Sequence, residues 1–422
     1  MSACAESTAV PRKPTMTTVS TPQRRSSIAL ALGLITLLGP AAIDMYLPSL
    51  PVMATELGAP FSTMQLTLTV FLLAMGAGQL VFGPVIDAFG RRRPLLAAVL
   101  MFVASSLWAA AAGSVESLIL ARFLQGLAAS LALVTAMSSV RDVAEGVAAA
   151  QLFALLMTIQ GLGPVLAPAV GGLIGHSHGW RAVFVTLALL GAVVLANCVL
   201  NLGETLPREK RSALNMTGVL RTYLEIVSSA RFILPGLSLA LVFFFLFSYI
   251  GGASYVYQTS YGISSRDFGL LFGATGIAVL LGALGSAKLV TRFRIEVLAL
   301  AGVMAMLVGA LIGLASSLAG IGLPGIIAGM FLALAGLGIA EATLMSIALA
   351  TRSTALGASA AVLGALPLVL GAIATPLTAV MAANGPAHWL GFLTVSGMVA
   401  AALTCASARM VARSGMRVDL QH

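Results

Sequence analysis

The sequence predicts an all-α polytopic membrane protein with twelve transmembrane helices in two six-helix halves. Of its 422 residues, 59% are hydrophobic and only 9% are charged, whereas about 25% are charged in an ordinary soluble domain. The apolar residues form long unbroken runs rich in Ala, Leu and Gly, unlike the short alternating strands of a membrane barrel. A soluble fold is excluded, because 23 basic and 14 acidic side chains cannot cover its surface.

The first half, residues 28–202, contains six apolar runs, each long enough to cross a bilayer. They are Ile28–Leu50, Thr63–Ile86, Pro94–Ala112, Ser117–Met137, Val147–Ile174 and Trp180–Leu202. Residues 1–27 are polar and rich in Ser, Thr and Pro, which predicts a disordered cytoplasmic tail. Arg24 and Arg25 resemble a twin-arginine signal, but eleven more spans follow, so we expect an uncleaved first helix.

The second half, residues 232–408, has the same organisation and nearly the same length, which predicts an internal duplication. Its spans are Phe232–Gln258, Phe268–Val290, Ile295–Ser316, Leu323–Leu349, Gly357–Ala382 and His388–Ala408. A central cytoplasmic loop, 203–231, separates the halves, and residues 409–422 form a second cytoplasmic tail.

The basic residues predict the orientation of the spans. With the N-terminus in the cytoplasm, all but three of the 23 Lys and Arg residues lie on the cytoplasmic side. The exceptions are Arg181 and Arg266 outside and Arg122 within a span. By the positive-inside rule both termini are cytoplasmic, and the net charge of +9 marks topology rather than a nucleic-acid surface.

Three charged residues lie within the predicted spans: Asp44, Arg122 and Glu341. Each costs at least ~2.5–3.5 kcal/mol at a helix centre, so each is a candidate functional residue. Asp44 lies roughly 24 Å and Arg122 about 22 Å from the cytoplasmic end, at ~1.5 Å per residue. The two side chains are therefore expected at one height.

We hypothesise that Asp44 and Arg122 face a shared polar cavity. Asp44 would exchange a proton or bind substrate, and Arg122 would tune its ionisation or hold an acceptor group of the substrate. The alternative is a purely structural buried ion pair. Glu341 is either a second protonation site or a protonated helix-packing residue.

The loop after the second span carries the most specific local motif, Gly83-x-x-x-Asp87-x-x-Gly90-Arg91-Arg92. Asp87 can accept hydrogen bonds from the N-terminus of a facing helix, and Gly90 permits a tight turn. The arginines can anchor the loop at anionic headgroups. These properties predict a compact loop held at the membrane surface.

This motif is similar to the loop signature of the major facilitator superfamily, and the twelve-span layout extends the resemblance over nearly the whole chain. The resemblance implies a role for the motif in a cytoplasmic gate, with Asp87 contacting the start of the eleventh span near Gly357. Ala88 departs from the family, which usually has Arg or Lys there.

A narrower resemblance rests on Asp44-Met45-Tyr46-Leu47-Pro48-Ser49-Leu50-Pro51, which is similar to the first-helix signature of the Bcr/CflA group of drug antiporters. Further matches are Gln65–Thr69, Gly76–Pro84, Arg122–Gly126, Val140–Asp142 and Trp180–Phe184. The resemblance implies export of bicyclomycin-like or phenicol drugs in exchange for protons, across a bacterial inner membrane. It also implies functional roles for Asp44 and Arg122.

The fifth span contains Gly163, Pro164, Pro168, Gly171 and Gly172. The prolines remove backbone donors and bend the helix, and the glycines let another helix approach closely. The pattern is similar to the antiporter motif of the family, although it is also a common packing device.

Polar aromatic and amide side chains within the spans are candidates for a substrate cavity. We select Tyr46, Gln125, Tyr249 and Tyr255, whereas Tyr261 is expected in the interfacial aromatic belt. Tyrosines near an interface are more often belt residues than cavity residues, and Gln125 can also bond a neighbouring helix.

Other classes of membrane protein need sequence features that this chain lacks. No phosphate-binding Gly-x-x-x-x-Gly-Lys-Ser/Thr loop is present, so ATP does not drive transport. A membrane enzyme would need a catalytic or metal constellation, and His176 and His178 alone do not form one. We therefore expect a monomeric transporter of a small drug and protons, without cofactor or metal. The alternative is facilitated or proton-coupled transport of an endogenous metabolite.

Overall fold

The computed structural model describes residues 22–352 and 354–413. Twelve of its segments are helical, long and apolar enough to cross a membrane, which confirms the predicted fold class. The helices of the first half are α1 (Pro22–Asp44), α2 (Leu50–Glu56), α3 (Phe61–Phe89), α4 (Arg92–Ala110), α5 (Val115–Val143), α6 (Gly146–His178) and α7 (Trp180–Asn201). A 3-10 turn, Leu47–Ser49, joins α1 and α2 within the first span.

The second half repeats this pattern after a connecting segment. Its helices are α8 (Met216–Val227), α9 (Ala230–Tyr255), α10 (Ser265–Leu289), α11 (Ile295–Leu318), α12 (Leu323–Ala350), α13 (Leu356–Ala383) and α14 (Pro386–Arg413). A π-helical turn, Val256–Ser260, continues α9. Six of these helices, α9 to α14, are membrane-spanning, whereas α8 is a short helix in the central loop.

Several helix ends differ from the sequence prediction. Helix α5 ends at Val143 rather than Met137, and α14 ends at Arg413, inside the predicted second tail. α1 begins at Pro22, six residues before the predicted first span, because Arg24 to Ser27 continue the helix into the predicted tail. The rest of that tail, residues 1–21, and residues 414–422 of the second tail lie outside the described residues. Helix α8 lies within the predicted central cytoplasmic loop, 203–231, in which no helix was predicted.

The two ends of the helix bundle differ in charge. One end carries Asp87, Arg91–Arg93, Arg141 and Arg208–Arg211, and we call it the basic face. The other end, where α2 and the start of α10 lie, is the opposite face. The halves pack on one another mainly through two pairs of helices, α3 with α13 and α6 with α10.

The contact of α6 with α10 is closest at the opposite face, where residues 164–172 meet residues 265–276. Toward the basic face, only Leu156 is buried among residues 146–160 of α6. In the described structure α6 and α10 therefore pack tightly at the opposite face. The part of α6 nearest the basic face has almost no buried residues.

Candidate functional site

Arg122 lies fully buried on α5, inside the first half. Its guanidinium carbon is 4.3 Å from the ring centroid of Tyr46 and 4.3 Å from that of Phe71. Phe184 contributes a third ring at 5.9 Å. Aromatic faces attract a cation most strongly where water is excluded, so these rings stabilise a charge that has left solvent.

A chain of hydrogen bonds leads away from Arg122. Its Nη1 donates to Gln125 Oε1 over 2.5 Å, and Gln125 Nε2 donates to Ser106 Oγ over 2.8 Å. Ser106 Oγ in turn donates to the Phe102 carbonyl, 2.6 Å away. These hydrogen bonds hold the guanidinium of Arg122 at Nη1 only, because its Nε and Nη2 are buried without an acceptor in the described residues. Arg122 thus has two donors to offer to another group.

Asp44 is the last residue of α1 and is 4% exposed. α1 ends here because Pro48, the second residue of the next turn, has no N–H to donate to the carbonyl of Asp44. Within the described part of the chain, no hydrogen bond or ion pair holds the Asp44 carboxylate, and none joins it to Arg122. The ring of Tyr46, two residues further on, stacks on Arg122 instead. A structural ion pair between Asp44 and Arg122 is therefore not what the structure contains.

The four cavity candidates fall into two groups. Tyr46 and Gln125 surround Arg122, and the Tyr46 hydroxyl lies 3.3 Å from Thr67 Oγ1. Tyr249 is buried in the second half, stacked on Phe272 with ring centroids 5.2 Å apart. Tyr255 packs against Phe61 of the first half, centroid to centroid 4.7 Å. Their role in a substrate cavity stays a prediction.

Glu341 lies on α12, apart from Asp44 and Arg122. Leu337, Leu344 and Ala348 extend along the same side of the helix and are buried. Its carboxylate accepts no hydrogen bond and forms no ion pair within residues 22–352 and 354–413. The structure does not bring it to the first-half site, and both of its predicted roles remain predictions.

The loop motif forms a charged cluster at the basic face. Arg91 is buried and joins two carboxylates, Asp87 at 2.6 Å and Asp142 at 3.0 Å. Thr205 Oγ1 also donates to Asp142, over 3.0 Å. Arg91 thus ties the end of α3 to the end of α5, and Asp142 ties both to the segment after α7.

Glu204 binds the start of α4 from that segment. It accepts hydrogen bonds from the backbone N–H groups of Arg91 (2.8 Å), Arg92 (3.4 Å) and Leu206 (3.1 Å), and from Arg211 Nη2 (3.3 Å). Partial burial raises the pKa of Glu204, but the N–H groups and the Arg211 charge outweigh it and set the pKa below its ordinary value.

Gly90 makes this approach possible. Its φ of +88° is a conformation that side chains rarely adopt, and a Cβ there would lie 2.6 Å from both Arg211 Nη2 and Glu204 Oε2. The predicted tight turn at Gly90 is therefore present, and its open side is occupied by Glu204.

The expected contact between Asp87 and the start of the eleventh span is wrong for this arrangement of the halves. The Asp87 carboxylate binds Arg91, and its carbonyl accepts from the N–H of Ser212. The start of α13 instead lies near Arg141, whose Nη1 would be 3.8 Å from a Cβ at Gly357. The reason is that the central segment, rather than α13, covers the inner end of α3.

The glycines of the fifth span make close helix contacts. Gly163 faces Pro40 of α1, Gly171 faces the backbone of Met45, and Gly172 faces Ser265 of α10. A Cβ at Gly172 would lie 2.7 Å from the Ser265 carbonyl, so a larger residue requires the helices to separate. These positions hold α6 against both the first span and the second half.

The prolines of α6 act at the same interface. Pro168 has no N–H, so the carbonyl of Pro164, four residues earlier, lacks its helical donor. That carbonyl faces Gly276 of α10, and the Pro168 carbonyl faces Gly269. The motif therefore presents main-chain atoms to the main chain of the other half.

Three residues of these sites were missed at the level of sequence. Phe71 and Ser106 are ordinary residues of apolar spans, and only their contacts with Arg122 and Gln125 distinguish them. Glu204 follows α7 in a polar segment with no local pattern. Among the described residues, no group of three or more His, Cys, Asp or Glu side chains could hold a metal ion.

Twelve long apolar helices in two halves of six are typical of a membrane transporter. The chain belongs to the Major Facilitator Superfamily, whose sequence profile matches residues 32–367. It is a multi-pass membrane protein and a transporter rather than an enzyme, as the sequence predicts.

Several relatives are similar over part of the chain. The MFS-type transporter YdgK of Bacillus subtilis, described as uncharacterized, is 39% identical over 265 residues, 62% of this chain and 66% of that one. The chloramphenicol resistance protein of Pseudomonas aeruginosa is 39% identical over 165 residues, 39% of each chain. A bicyclomycin resistance protein homolog of Haemophilus influenzae is 29% identical over 269 residues, 63% of this chain and 67% of that one. The matches thus span about two thirds or less of these relatives.

The fold is shared with a solved transporter structure. The D-xylose-proton symporter superposes with a TM-score of 0.73 at 18% identity, over 90% of this chain and 97% of that one. At this identity the likeness shows the fold alone.

Proposed function

We propose that the protein exports small amphipathic drugs, of phenicol or bicyclomycin-like type, across a bacterial inner membrane in exchange for protons. It works as a monomer by alternating access, with both termini in the cytoplasm. The observation that carries the proposal is that the first half buries two charged residues, Arg122 with two unused donors and Asp44 with a carboxylate that has no described partner. Relatives named for chloramphenicol and bicyclomycin resistance support the substrate class.

In this mechanism the drug and the proton compete for Asp44. A donor group of the drug binds the ionised carboxylate of Asp44, while the free Nε and Nη2 of Arg122 hold an acceptor group of the drug. When a drug leaves to the outside, Asp44 takes up a proton from there, and it releases the proton inside when the next drug enters. Competition for one carboxylate thus links the drug to the proton.

The membrane potential supplies the driving force. A proton moving inward gains ~2.3 kcal/mol per 100 mV, so one cycling carboxylate is sufficient for coupling. The second half closes the outer side through the α6–α10 contact while the drug enters from the basic face. Glu341, on the other half, is proposed as a second protonation site.

The test is proton-dependent efflux in a bacterial strain that lacks its own pumps. Asp44→Asn and Arg122→Ala are expected to abolish tolerance to phenicols or bicyclomycin-like compounds at normal membrane levels. Glu225→Gln, an exposed carboxylate outside the site, serves as the matched control and is expected to behave as the parent. The Glu341→Gln variant loses proton dependence if Glu341 titrates and keeps it if the residue only packs.

Two results would overturn the proposal. Full activity of the Asp44→Asn variant would remove Asp44 from the coupling. Unchanged tolerance of the parent protein across a broad drug panel would defeat drug export and favour transport of a metabolite.

A further inference from the structure

A second site lies at the basic face, outside the region of Asp44 and Arg122. A cavity of about 290 Å³ separates the start of α4 from the segment that follows α7. Four arginines, one glutamate and two apolar residues line the cavity. The charged residues are Arg92, Arg93, Arg208, Arg211 and Glu204. The proposed export mechanism does not use this cavity.

The cavity has an excess of positive charge. The two oxygens of Glu204 are already occupied by three backbone N–H groups and by Arg211. Arg92, Arg93 and Arg208 form no salt bridge with an acidic residue of the described chain. The arginines therefore lack the anions that would balance them.

The arginine side chains also carry more donors than the described residues accept. Among the hydrogen bonds of the described residues, the side chains of Arg93 and Arg208 donate none, and that of Arg92 donates only to the Val199 carbonyl. Donors of a charged group that line a cavity favour an anionic acceptor. A phosphate offers several acceptor oxygens and a negative charge, which suits forked guanidinium groups.

The walls of the cavity continue into the lipid-facing surface. Arg92 Nη2 donates to the carbonyl of Val199 in the last turn of α7, over 3.3 Å. Val199 is 48% exposed and its neighbour Leu200 is 81% exposed, on a helix that crosses the membrane. A phosphate in the cavity would thus lie beside a surface for acyl chains, which a soluble phosphate does not need.

Helix α8, which follows this segment, also presents an apolar side. Met216, Leu220 and Leu224 repeat at four-residue spacing and are exposed. The other side is held by the protein, since the Tyr223 hydroxyl donates to the Leu80 carbonyl over 2.8 Å. A short helix with one uncovered apolar side beside a basic cluster is typical of the membrane interface.

We propose that the cavity binds the phosphate of an anionic phospholipid of the cytoplasmic leaflet, with its acyl chains along the end of α7. The lipid would hold the central segment against the start of α4. The chemistry recognised is a phosphate with a net negative charge, and its source is the bilayer.

The experiment titrates the purified full-length protein in detergent with phosphatidylglycerol, phosphatidylcholine or inorganic phosphate. Bound lipid is counted by native mass spectrometry, and thermal unfolding is measured in parallel. The parent protein is expected to bind phosphatidylglycerol at least about tenfold more tightly than phosphatidylcholine, because phosphatidylcholine carries a choline cation that the excess arginine charge of the cavity repels. Inorganic phosphate is expected to stabilise it much less.

The test variant is Arg93→Gln with Arg208→Gln, which should lose the preference for phosphatidylglycerol. Neither side chain makes a described hydrogen bond, so the fold is expected to persist, and Arg208→Glu alone repeats the test by charge reversal. Arg221→Gln, an arginine 84% exposed and outside the cavity, should keep the preference. An undiminished preference in the double variant overturns the site. Equal stabilisation by inorganic phosphate overturns the lipid as its occupant.

Discussion

Arg122 is a cation whose neighbours are mostly rings. Tyr46 and Phe71 each lie 4.3 Å from its guanidinium carbon, and Gln125 accepts its only described hydrogen bond. A lysine at this position keeps the charge but has neither the flat face that stacks between two rings nor the forked donors. The shape of the group is therefore as important as its charge.

We expect Arg122→Lys to reduce drug efflux at least about tenfold, because lysine lacks the Nε and Nη2 donors proposed to hold the drug, and a hydrogen bond to a charged group contributes ~1.5–3 kcal/mol. Efflux of a radiolabelled phenicol from cells, normalised to the protein in the membrane, measures the effect. Arg221→Lys, an exposed arginine, is the control. Parental rates in the Arg122→Lys variant would mean that charge alone is sufficient.

At the scale of elements, α4 depends on a residue that lies far away in sequence. Its first N–H groups have no helical acceptor, and Glu204 supplies one from the segment after α7. Because the folded pKa of Glu204 is lowered, its carboxylate stabilises the fold fully above the ordinary pKa of 4.5. That contribution is lost as pH falls through the lowered pKa.

Glu204→Gln should therefore lower the unfolding temperature at neutral pH. The difference between parent and variant should shrink below pH 4.5, where the unfolded parent becomes protonated, and vanish as pH falls through the lowered pKa of the folded carboxyl. Thermal unfolding in one detergent, measured on both sides of that pH, provides the test. Glu209→Gln, in the same segment without a described ion pair, is the control, and a difference that does not change with pH would contradict the role of the charge.

The elements themselves were largely predictable, whereas their long-range contacts were not. Span three was predicted at Pro94–Ala112 and is found as α4, Arg92–Ala110, because a membrane helix needs a long apolar run that is visible locally. The apolar spacing of α8, at Met216, Leu220 and Leu224, was also visible in the sequence. The helix has only 12 residues, too few to cross a membrane, so it was not separated from the loop. Glu204 bonds to Arg91 across a separation of 113 residues, and such a contact has no local pattern. The same holds for the ring of Tyr46, which lies on Arg122.

At the scale of the molecule, the two halves meet through glycine at the opposite face. Gly269 of α10 faces the Pro168 carbonyl, and its Cβ position is 3.0 Å from Gly172 Cα. Gly285 lies on the same helix, and nothing lies within 4 Å of its Cβ position. The two glycines differ in contact with α6 but not in helix propensity.

Gly269→Ala should force α6 and α10 apart and increase the population that is open at the opposite face. Spin labels at Ser177 of α6 and Ser260, in the turn that continues α9, in a chain whose native cysteines are replaced, report the separation of the two halves by electron double resonance. A longer distance is expected for Gly269→Ala, with Gly285→Ala matching the parent. Identical distances in both variants would show that this contact does not hold the face closed.

The α6–α10 contact also determines how much side-chain conformational entropy is lost when the opposite face closes. Glycine has no rotamers, and the facing carbonyls of Pro164 and Pro168 belong to a backbone already fixed in a helix. Few side chains are therefore immobilised on closure, so its entropic cost is small compared with an interface of long side chains. Repeated opening and closing then requires little reordering of the chain, which suits a gate that must cycle many times.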